Sequence, residues 1–492
     1  MSKDLESINK VILKACDSFR GTMDPFNYKD FVLTMLFLKF ISDLQKSEHE
    51  GHKYVNTELE DYLSINIPKG CSFWDLYEMR SEPDIGYRID AALDSLEEAN
   101  AELQGVFQNI SFNSDKLGDE KRKSEVLCQL LQSFANSVLD FSSSGISSFE
   151  LAGEVYESLI RHFATESGKK SGEFYTPIEV SELLSMLLEP QKGEMICDPT
   201  CGSGSLLIRC GQQIQRNFEG SKKYHLYGQE LNSSTWSLAK INMLLHGEFN
   251  SRIEWGDTIR NPKLLDDDGD LLKFDVVTAH PPFSLSSWGY EGAHSDVFNR
   301  FNRGIPPKTK GDYAFILHII ETLKPKTGRM AVVVPHGVLF RSAAEGHIRQ
   351  KLIEENLIDT VIGLPGKLFF GTGIPVAILI FKTCKQDTSV LFIDASREFN
   401  PGKNQNELTK EGIARIVDTY RARQSVDKYA YRASIDEIID NGYNLNIPRY
   451  VDTFEDNNEV DLIAAKKERL ELQQKLKDLE FQMDKHLKMF GL

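Results

Sequence analysis

The chain has 492 residues, 41% of them apolar, and a formal net charge of −16. At roughly 150 residues per domain the length predicts two to four domains, and the apolar fraction excludes a largely disordered chain. Phosphate contacts require Lys and Arg, so the charge excludes a generally basic nucleic-acid binder and confines any DNA contact to a local surface or a partner. The longest apolar run, residues 31–41, contains Thr34 and Lys39 and falls far short of the roughly 20 residues of a membrane span. The N-terminus, Met-Ser-Lys-Asp-Leu-Glu, lacks the basic-then-apolar pattern of a signal peptide, and a cytoplasmic protein is expected. Seven cysteines are dispersed without a CxxC pair, which argues against a disulfide framework or a zinc site.

Residues 1–165 read as a helical domain. Residues 28–44 are dense in Leu, Phe and Met, and residues 124–139 carry Val126, Leu127, Leu130, Leu131, Phe134, Val138 and Leu139 near a 3.6-residue period. A polar stretch, 113–123, separates the two. From 166 the pattern changes to short apolar strands alternating with helices. Candidate strands are 194–197, 225–228, 252–255, 275–278, 330–334, 358–363 and 376–381, with helical patterns between most of them, such as 235–245. This alternation predicts an α/β fold with a doubly wound, mostly parallel sheet. Residues 386–450 read as a mixed connection. Beyond Val460 a charged helix carries Leu472, Leu476, Leu479, Met483, Leu487 and Phe490, a heptad-like seam that suits either packing on its own domain or a coiled-coil partner.

Within the α/β segment, Asp198-Pro199-Thr200-Cys201-Gly202-Ser203-Gly204-Ser205 follows the first strand and opens a helix. Glycines at such a turn permit positive φ and close backbone approach to a ligand, and the helix start offers free N–H groups. Ahead of it stands Glu173-Phe174-Tyr175-Thr176-Pro177. Glu230 ends the second strand, where an acid suits the hydroxyls of a ribose. Asp257 and Thr258 end the third, where the acid suits an adenine amine. Glu230 and Asp257 also suit helix caps. The fourth strand runs into His280-Pro281-Pro282-Phe283. The prolines end the strand, lacking the donor a ladder needs, and present a ring at the edge where such sheets bind ligands. The Ser-, Gly- and Asn-rich segment that follows, 284–311, carries Trp288, Tyr290, Arg300, Arg303, Lys308 and Lys310, a composition that suits either a DNA-contacting loop or a plain surface loop.

The Asp-Pro-x-Cys-Gly-x-Gly segment resembles the first motif of S-adenosylmethionine-dependent DNA methyltransferases. The Pro-Pro-Phe turn resembles the Asn-Pro-Pro-aromatic motif of enzymes that methylate an exocyclic amine. With Gly21-Thr22-Met23-Asp24-Pro25 near the start and Gly442-Tyr443-Asn444-Leu445-Asn446-Ile447-Pro448-Arg449-Tyr450 near the end, the chain resembles the modification (methylase) subunit of type I restriction-modification systems nearly end to end. That resemblance implies a Rossmann-like core over 166–420, a helical domain over 1–165, and a connection and coiled-coil arm over 421–492. It implies S-adenosylmethionine held by 173–177, 198–205, Glu230, Asp257 and Thr258. It also implies a specificity subunit carrying two methylases, a restriction subunit that can join them, and double-stranded DNA with a flipped adenine as substrate.

The implied reaction is methyl transfer to adenine N6. The base leaves the duplex and stacks on Phe283, and acceptors aimed at its amine stabilise the charge that develops there. In the family these are the motif Asn and the carbonyl of the next residue, here Pro281. This chain has His280 in place of that Asn. A neutral imidazole has one acceptor nitrogen, but its ring extends into the base's space, and protonation near neutrality would oppose a donor to a donor. The expectation is weakened or absent transfer, with a cofactor- or DNA-binding assembly subunit as the alternative. A methyltransferase acting on protein glutamine is a third reading, disfavoured by the helical N-terminal region and the terminal seam.

Overall fold

The computed structural model describes residues 3–20, 23–49, 65–142, 146–167, 175–370, 372–403, 405–453 and 462–489. Glu173, Phe174, Phe490 and the Gly21-Thr22 pair lie outside the described residues. Met1–Val451 forms one compact unit and Asp452–Leu492 a second.

The helical region comprises α1 (Lys3–Cys16), α2 (Pro25–His49), α3 (Phe73–Glu78), α4 (Ile85–Ala99), α5 (Glu120–Phe134) and α6 (Ile146–Ser167). The apolar run predicted at 28–44 lies within α2. The periodic stretch predicted to reach 139 ends five residues earlier, at Phe134, and the polar 113–123 stretch supplies its start. There the Asp119 carboxylate accepts from the Arg122 N–H at 2.8 Å, a standard N-cap. The lysine within the apolar run is buried with a partner. Lys39 donates to Asp43 one turn later and to the Leu139 carbonyl at 2.9 Å. Asp43 also accepts from Trp74 Nε1 at 3.0 Å and the Phe141 N–H at 3.1 Å. Burial lowers the Lys39 pKa and raises that of Asp43.

The α/β region follows with α7 (Ile178–Leu188), β1 (Met195–Asp198), α8 (Ser205–Asn217), β2 (His225–Glu230), α9 (Ser233–Leu245), β3 (Arg252–Trp255), β4 (Val276–Ala279), α10 (Asp312–Thr322), β5 (Arg329–Pro335), α11 (Ala344–Glu354), β6 (Ile358–Gly363) and β7 (Val376–Lys382). All seven predicted strands are present. Beyond them come β8 (Val390–Asp394), a small hairpin of β9 (Phe399–Asn400) and β10 (Glu407–Leu408), α12 (Lys410–Ala422), β11 (Ala430–Ala433), α13 (Ile435–Asp440) and α14 (Leu462–Met489). One sheet runs β11-β8-β6-β7-β5-β4-β1-β2-β3. Its pairings are parallel except where β7 meets β5 and β6, and where β11 meets β8. The segment expected to be a mixed connection therefore adds two strands to this sheet.

Alternate residues enter opposite faces, as strand geometry requires. Val276, Ala331 and Val333 join the core shared with α1–α9, whereas Val277, Ala279, Met330, Val332 and Val334 join the core under α10 and α11. The helical region packs on α9, where Tyr156 of α6 donates to the Leu238 carbonyl at 3.2 Å. The strand order reverses between β1 and β4, and the crevice beyond the strand ends at that point is where open sheets bind ligands.

In α14, Leu472, Leu476, Leu479 and Met483 are 56–62% exposed. Among the described residues no helix is long and apolar enough to cross a membrane.

The buried ion pair yields a stability prediction. Lys39→Met leaves the Asp43 carboxylate buried without its countercharge, at a cost of about 3–5 kcal/mol. Urea denaturation measures this, and a loss below about 1 kcal/mol, the worth of a surface pair, contradicts it.

Candidate active site

The loop after β1 turns sharply because Gly202 and Gly204 adopt φ of 54° and 81°. A Cβ at position 204 would lie 2.6 Å from Met243 Cε, so the backbone sits directly on α9. Ser203 and Ser205 are buried with their hydroxyls 2.9 Å apart, and the Ser203 carbonyl accepts from Asn242 Nδ2 at 2.8 Å. Asp198 is fully buried. Its Oδ1 accepts from the Thr200 N–H at 2.9 Å, while its Oδ2 has no hydrogen-bond partner among the described residues. Burial pushes its pKa up to about 7, against the lowering effect of the Thr200 N–H and with the charge of Glu230 adding to the rise.

Glu230 ends β2 and faces this loop. Its carboxylate accepts from the Gly202 N–H at 3.0 Å and the Asn232 N–H at 2.8 Å, so it braces the turn. Asn232 in turn caps α9, accepting from the Thr235 N–H at 3.1 Å. Asp257, beyond β3, caps its own turn. It accepts from the Ile259 and Arg260 N–H groups at 2.9 and 2.8 Å and pairs with the Arg260 guanidinium at 2.8 Å. Neither acid caps a helix: Glu230 braces the first loop and the cap of α9 is Asn232, while Asp257 closes a turn, both at the strand ends where a ligand role was expected. The Thr258 hydroxyl donates to the Pro199 carbonyl and ties the first loop to the third.

His280 stands beyond the end of β4. Its Nδ1 lies 2.9 Å from the Thr176 hydroxyl, and its ring centroid lies 4.7 Å from Phe369 and 5.2 Å from Phe283. Phe283 and Phe369 are themselves 6.3 Å apart and nearly perpendicular. The imidazole is partly exposed at the cleft, yet the protein packed around it holds its pKa down to about 4. Protonation near neutrality is therefore disfavoured, because burial against the Phe283 and Phe369 rings penalises the charged imidazolium. Pro281 is buried and Pro282 exposed.

Two connected spaces share this wall. A small cavity is lined by Tyr175, Thr176, Asp198, Cys201, Ser203 and His280. A cleft of about 870 Å³ is lined by Pro199, Glu230, Trp255, Asp257, His280, Pro281, Pro282, Phe283 and Phe369, among others. Thr200 and His280 line both. Tyr175 and Thr176 arrive from the segment before α7, and Pro177 stands at its N-terminus. The aromatic wall formed by Phe369 and Phe370 was not anticipated. Its signal was a Phe-Phe pair in a glycine-flanked connection between two strands, at the same sheet edge as the Pro-Pro-Phe turn.

Several of the aromatic and basic residues of the 284–311 segment are engaged within the protein. Trp288 is buried and donates to the Pro307 carbonyl at 3.0 Å. Arg300 is buried on Asp296 and donates to the Thr258 and Ile259 carbonyls. Arg303 pairs with Glu321 and Glu355, and Lys308 with Glu291.

The family model described as N-6 DNA Methylase matches residues 147–459, and the one described as HsdM N-terminal domain matches residues 8–134. The chain is 29% identical to the type I restriction enzyme MpnII methylase subunit of Mycoplasma pneumoniae, over 96% of this chain and 94% of that one. It is 32% identical to the MjaVIII methylase subunit of Methanocaldococcus jannaschii, over 94% of this chain and 81% of that one. A solved type I restriction-modification methyltransferase subunit from Streptococcus thermophilus superposes with a TM-score of 0.81 at 35% identity, covering 92% of this chain and 100% of the other. With matches to both halves and over nearly its full length, the chain belongs to the N-6 DNA methylase family, beside the methylase subunits of type I restriction-modification systems.

Proposed function

We propose that the chain is the methylase subunit of a type I restriction-modification system, moving a methyl group from S-adenosylmethionine to adenine N6 in DNA, with His280 weakening that transfer. The observation that carries this reading is the shared wall: the loop after β1 and the turn after β4 meet, and His280 lines the spaces on both sides.

The residues fit the cofactor. A buried carboxylate oxygen without a partner, Asp198 Oδ2, suits the ammonium of the amino-acid end, since buried charges need a counterpart. Glu230 accepts from the Gly202 and Asn232 N–H groups at the end of β2, where an acid suits ribose hydroxyls. Asp257 and Thr258 stand where the adenine would lie, and Tyr175, Thr176 and Pro177, with Glu173 and Phe174 ahead of them, would close the methionine end. When bound, the cofactor supplies an electrophilic methyl group on a sulfonium. The chain's part is to hold the amine against it, with Phe283 as the stacking platform and the Pro281 carbonyl as one acceptor.

His280 compromises the second acceptor. The Thr176 hydroxyl already engages Nδ1, the atom nearest the place of an Asn amide. If the hydroxyl donates, Nε2 carries the proton and presents a donor to the amine. In either tautomer the ring fills the angle between Phe283 and Phe369 that a base would enter. The same contacts favour the alternative of a cofactor-binding assembly subunit without methyl transfer. The division into a helical domain (1–165), a catalytic domain (166–420) and a connection with arm (421–492) belongs to this proposal. So does α14, whose exposed leucines suit a coiled coil with a specificity subunit that holds two methylases and reads the DNA. A restriction subunit completes such a system.

The test is methyl incorporation from labelled cofactor into cognate DNA by the complex with its specificity subunit. His280→Asn should raise the rate by about 10²-fold or more, the range for restoring one preorganised contact. Equal rates contradict the role given to His280, and labelling in neither, with cofactor bound, favours the assembly subunit. Because burial holds the imidazole neutral, with a pKa of about 4, the ratio of the two rates should stay flat between about pH 6 and 8. A ratio that changes across that window contradicts the assignment.

Asp198 gives a second pH dependence. Cofactor affinity should fall as pH drops through about 7, by up to about tenfold per pH unit, as the carboxylate takes a proton. Calorimetric titration of the chain with cofactor reads this, and a flat profile contradicts it. In the unliganded chain the sign reverses. A carboxyl whose folded pKa lies above its usual 3.8 stabilises the fold when protonated, and that stability is lost as pH rises through about 7. Asp198→Asn should therefore stabilise the unliganded chain at pH 8, by up to about 4 kcal/mol.

A further inference from the structure

The turn that presents Phe283 is held from a distant element. Ser284, directly after Phe283, is a non-glycine residue at φ 51°, a left-handed conformation that costs about 1 kcal/mol or more and persists only when its surroundings enforce it. Its N–H donates to Asp312 Oδ1 at 2.8 Å. Asp312 is the first residue of α10 and only 2% exposed. Its other oxygen accepts from Arg341 Nη2 at 2.5 Å, and Arg341 also pairs with buried Glu345. The Gly311 N–H, one residue earlier, donates to the Leu285 carbonyl at 2.9 Å. Gly311 is required there, because a Cβ would lie 2.7 Å from the Cβ of Trp288. Two successive residues at the start of α10 thus clasp the two residues that follow Phe283.

We propose that Asp312, backed by Arg341, is a positioning residue for the target base: it holds the left-handed Ser284 turn and so aims Phe283 into the cleft. Asp312 does not reach the cleft itself, which Phe315, one turn further along α10, does line. An ion pair behind a hydrogen bond is a stiff support, since a charged acceptor makes the stronger bond and Arg341 fixes the carboxylate's orientation. The hydrogen bonds and ion pairs of this clasp run among Ser284, Leu285, Gly311, Asp312, Arg341 and Glu345, so its loss should spare the cofactor side. The inference rests on Phe283 being the stacking platform for the target adenine.

The experiment uses the complex with the specificity subunit in a His280→Asn background, with unmodified cognate DNA for the methyl-transfer rate and, for base capture alone, the same DNA carrying 2-aminopurine, which lacks the 6-amine, at the target position. Asp312→Ala should lower kcat/KM for DNA by about 10²-fold, as expected when a reacting group is misplaced by an ångström. The fluorescence of the captured base should fall with it, while cofactor affinity stays unchanged. Asp312→Asn keeps an oxygen acceptor for the Ser284 N–H and should restore much of both signals. Phe283→Ala gives the fluorescence expected when the platform is lost. The inference is overturned if Asp312→Ala matches its parent, if Asp312→Asn is as impaired as Asp312→Ala, or if cofactor affinity falls in parallel, which marks a general loss of structure. If the His280→Asn parent transfers no methyl, the account of His280 fails, and the order of the fluorescence signals still decides for or against Asp312.

Discussion

The parallel pairing of β1 with β4, through Ile196 with Val276 and Cys197 with Val277, is the constraint on which the site depends. These two strands are distant in sequence and adjacent in the sheet at the point where strand order reverses. Both end at the same edge, so Asp198 and His280 are carried to one place by ladder hydrogen bonds rather than by loop contacts. β2 and β3 extend the same edge and bring Glu230 and Asp257 into line. The connection between β6 and β7 returns over that edge with Phe369. Because the central strands are buried on both faces, none of these ends shifts independently.

That rigidity supports groups that are costly alone. Asp198 carries an unpaired buried oxygen and a pKa near neutrality. Ser284 holds an unfavourable φ. Such local strain is expected where a ligand is to be met, and it is offset by packing elsewhere. The packing is substantial: alternating residues of β4, β5 and β7 feed two cores, and α2, α6 and α9 close one of them. His280 belongs to a different category. Its imidazole makes good contacts with Thr176, Phe283 and Phe369, so it is comfortable in the free protein. In the proposed reading those contacts occupy the positions where a base and its acceptor are needed.

Much of this arrangement was readable from residues in order. Seven strands were visible because central parallel strands are short apolar runs between helical patterns. The loop after β1 was visible because positive φ favours glycine, here Gly202 and Gly204. Most of what escaped was set by contacts distant in sequence. β8 carried its own mark, the apolar run Val390-Leu391-Phe392-Ile393, and was absorbed into the connection, whereas β11, Ala-Tyr-Arg-Ala, has no apolar run to mark it. Its strand state comes from pairing with β8. Trp288 and Arg300 sat in a segment that suited either a DNA-contacting or a plain surface loop because composition does not report burial, and here Arg300 is satisfied by Asp296 and two carbonyls. Asp312 carried no reading from the sequence. Its link to Ser284 spans 28 residues and has no periodic signature. The pKa of His280 depended on the rings around it, which no local pattern specifies.

The central claim is that the Thr176-held imidazole and the target adenine compete for one place. The direct measurement is a structure of the complex with a cofactor analogue and cognate DNA, determined for the native chain and for His280→Asn. The account predicts an adenine stacked on Phe283 in the His280→Asn complex, and in the native complex either an unflipped base or an imidazole displaced from Thr176. An adenine seated on Phe283 with the Thr176–His280 hydrogen bond intact would contradict it.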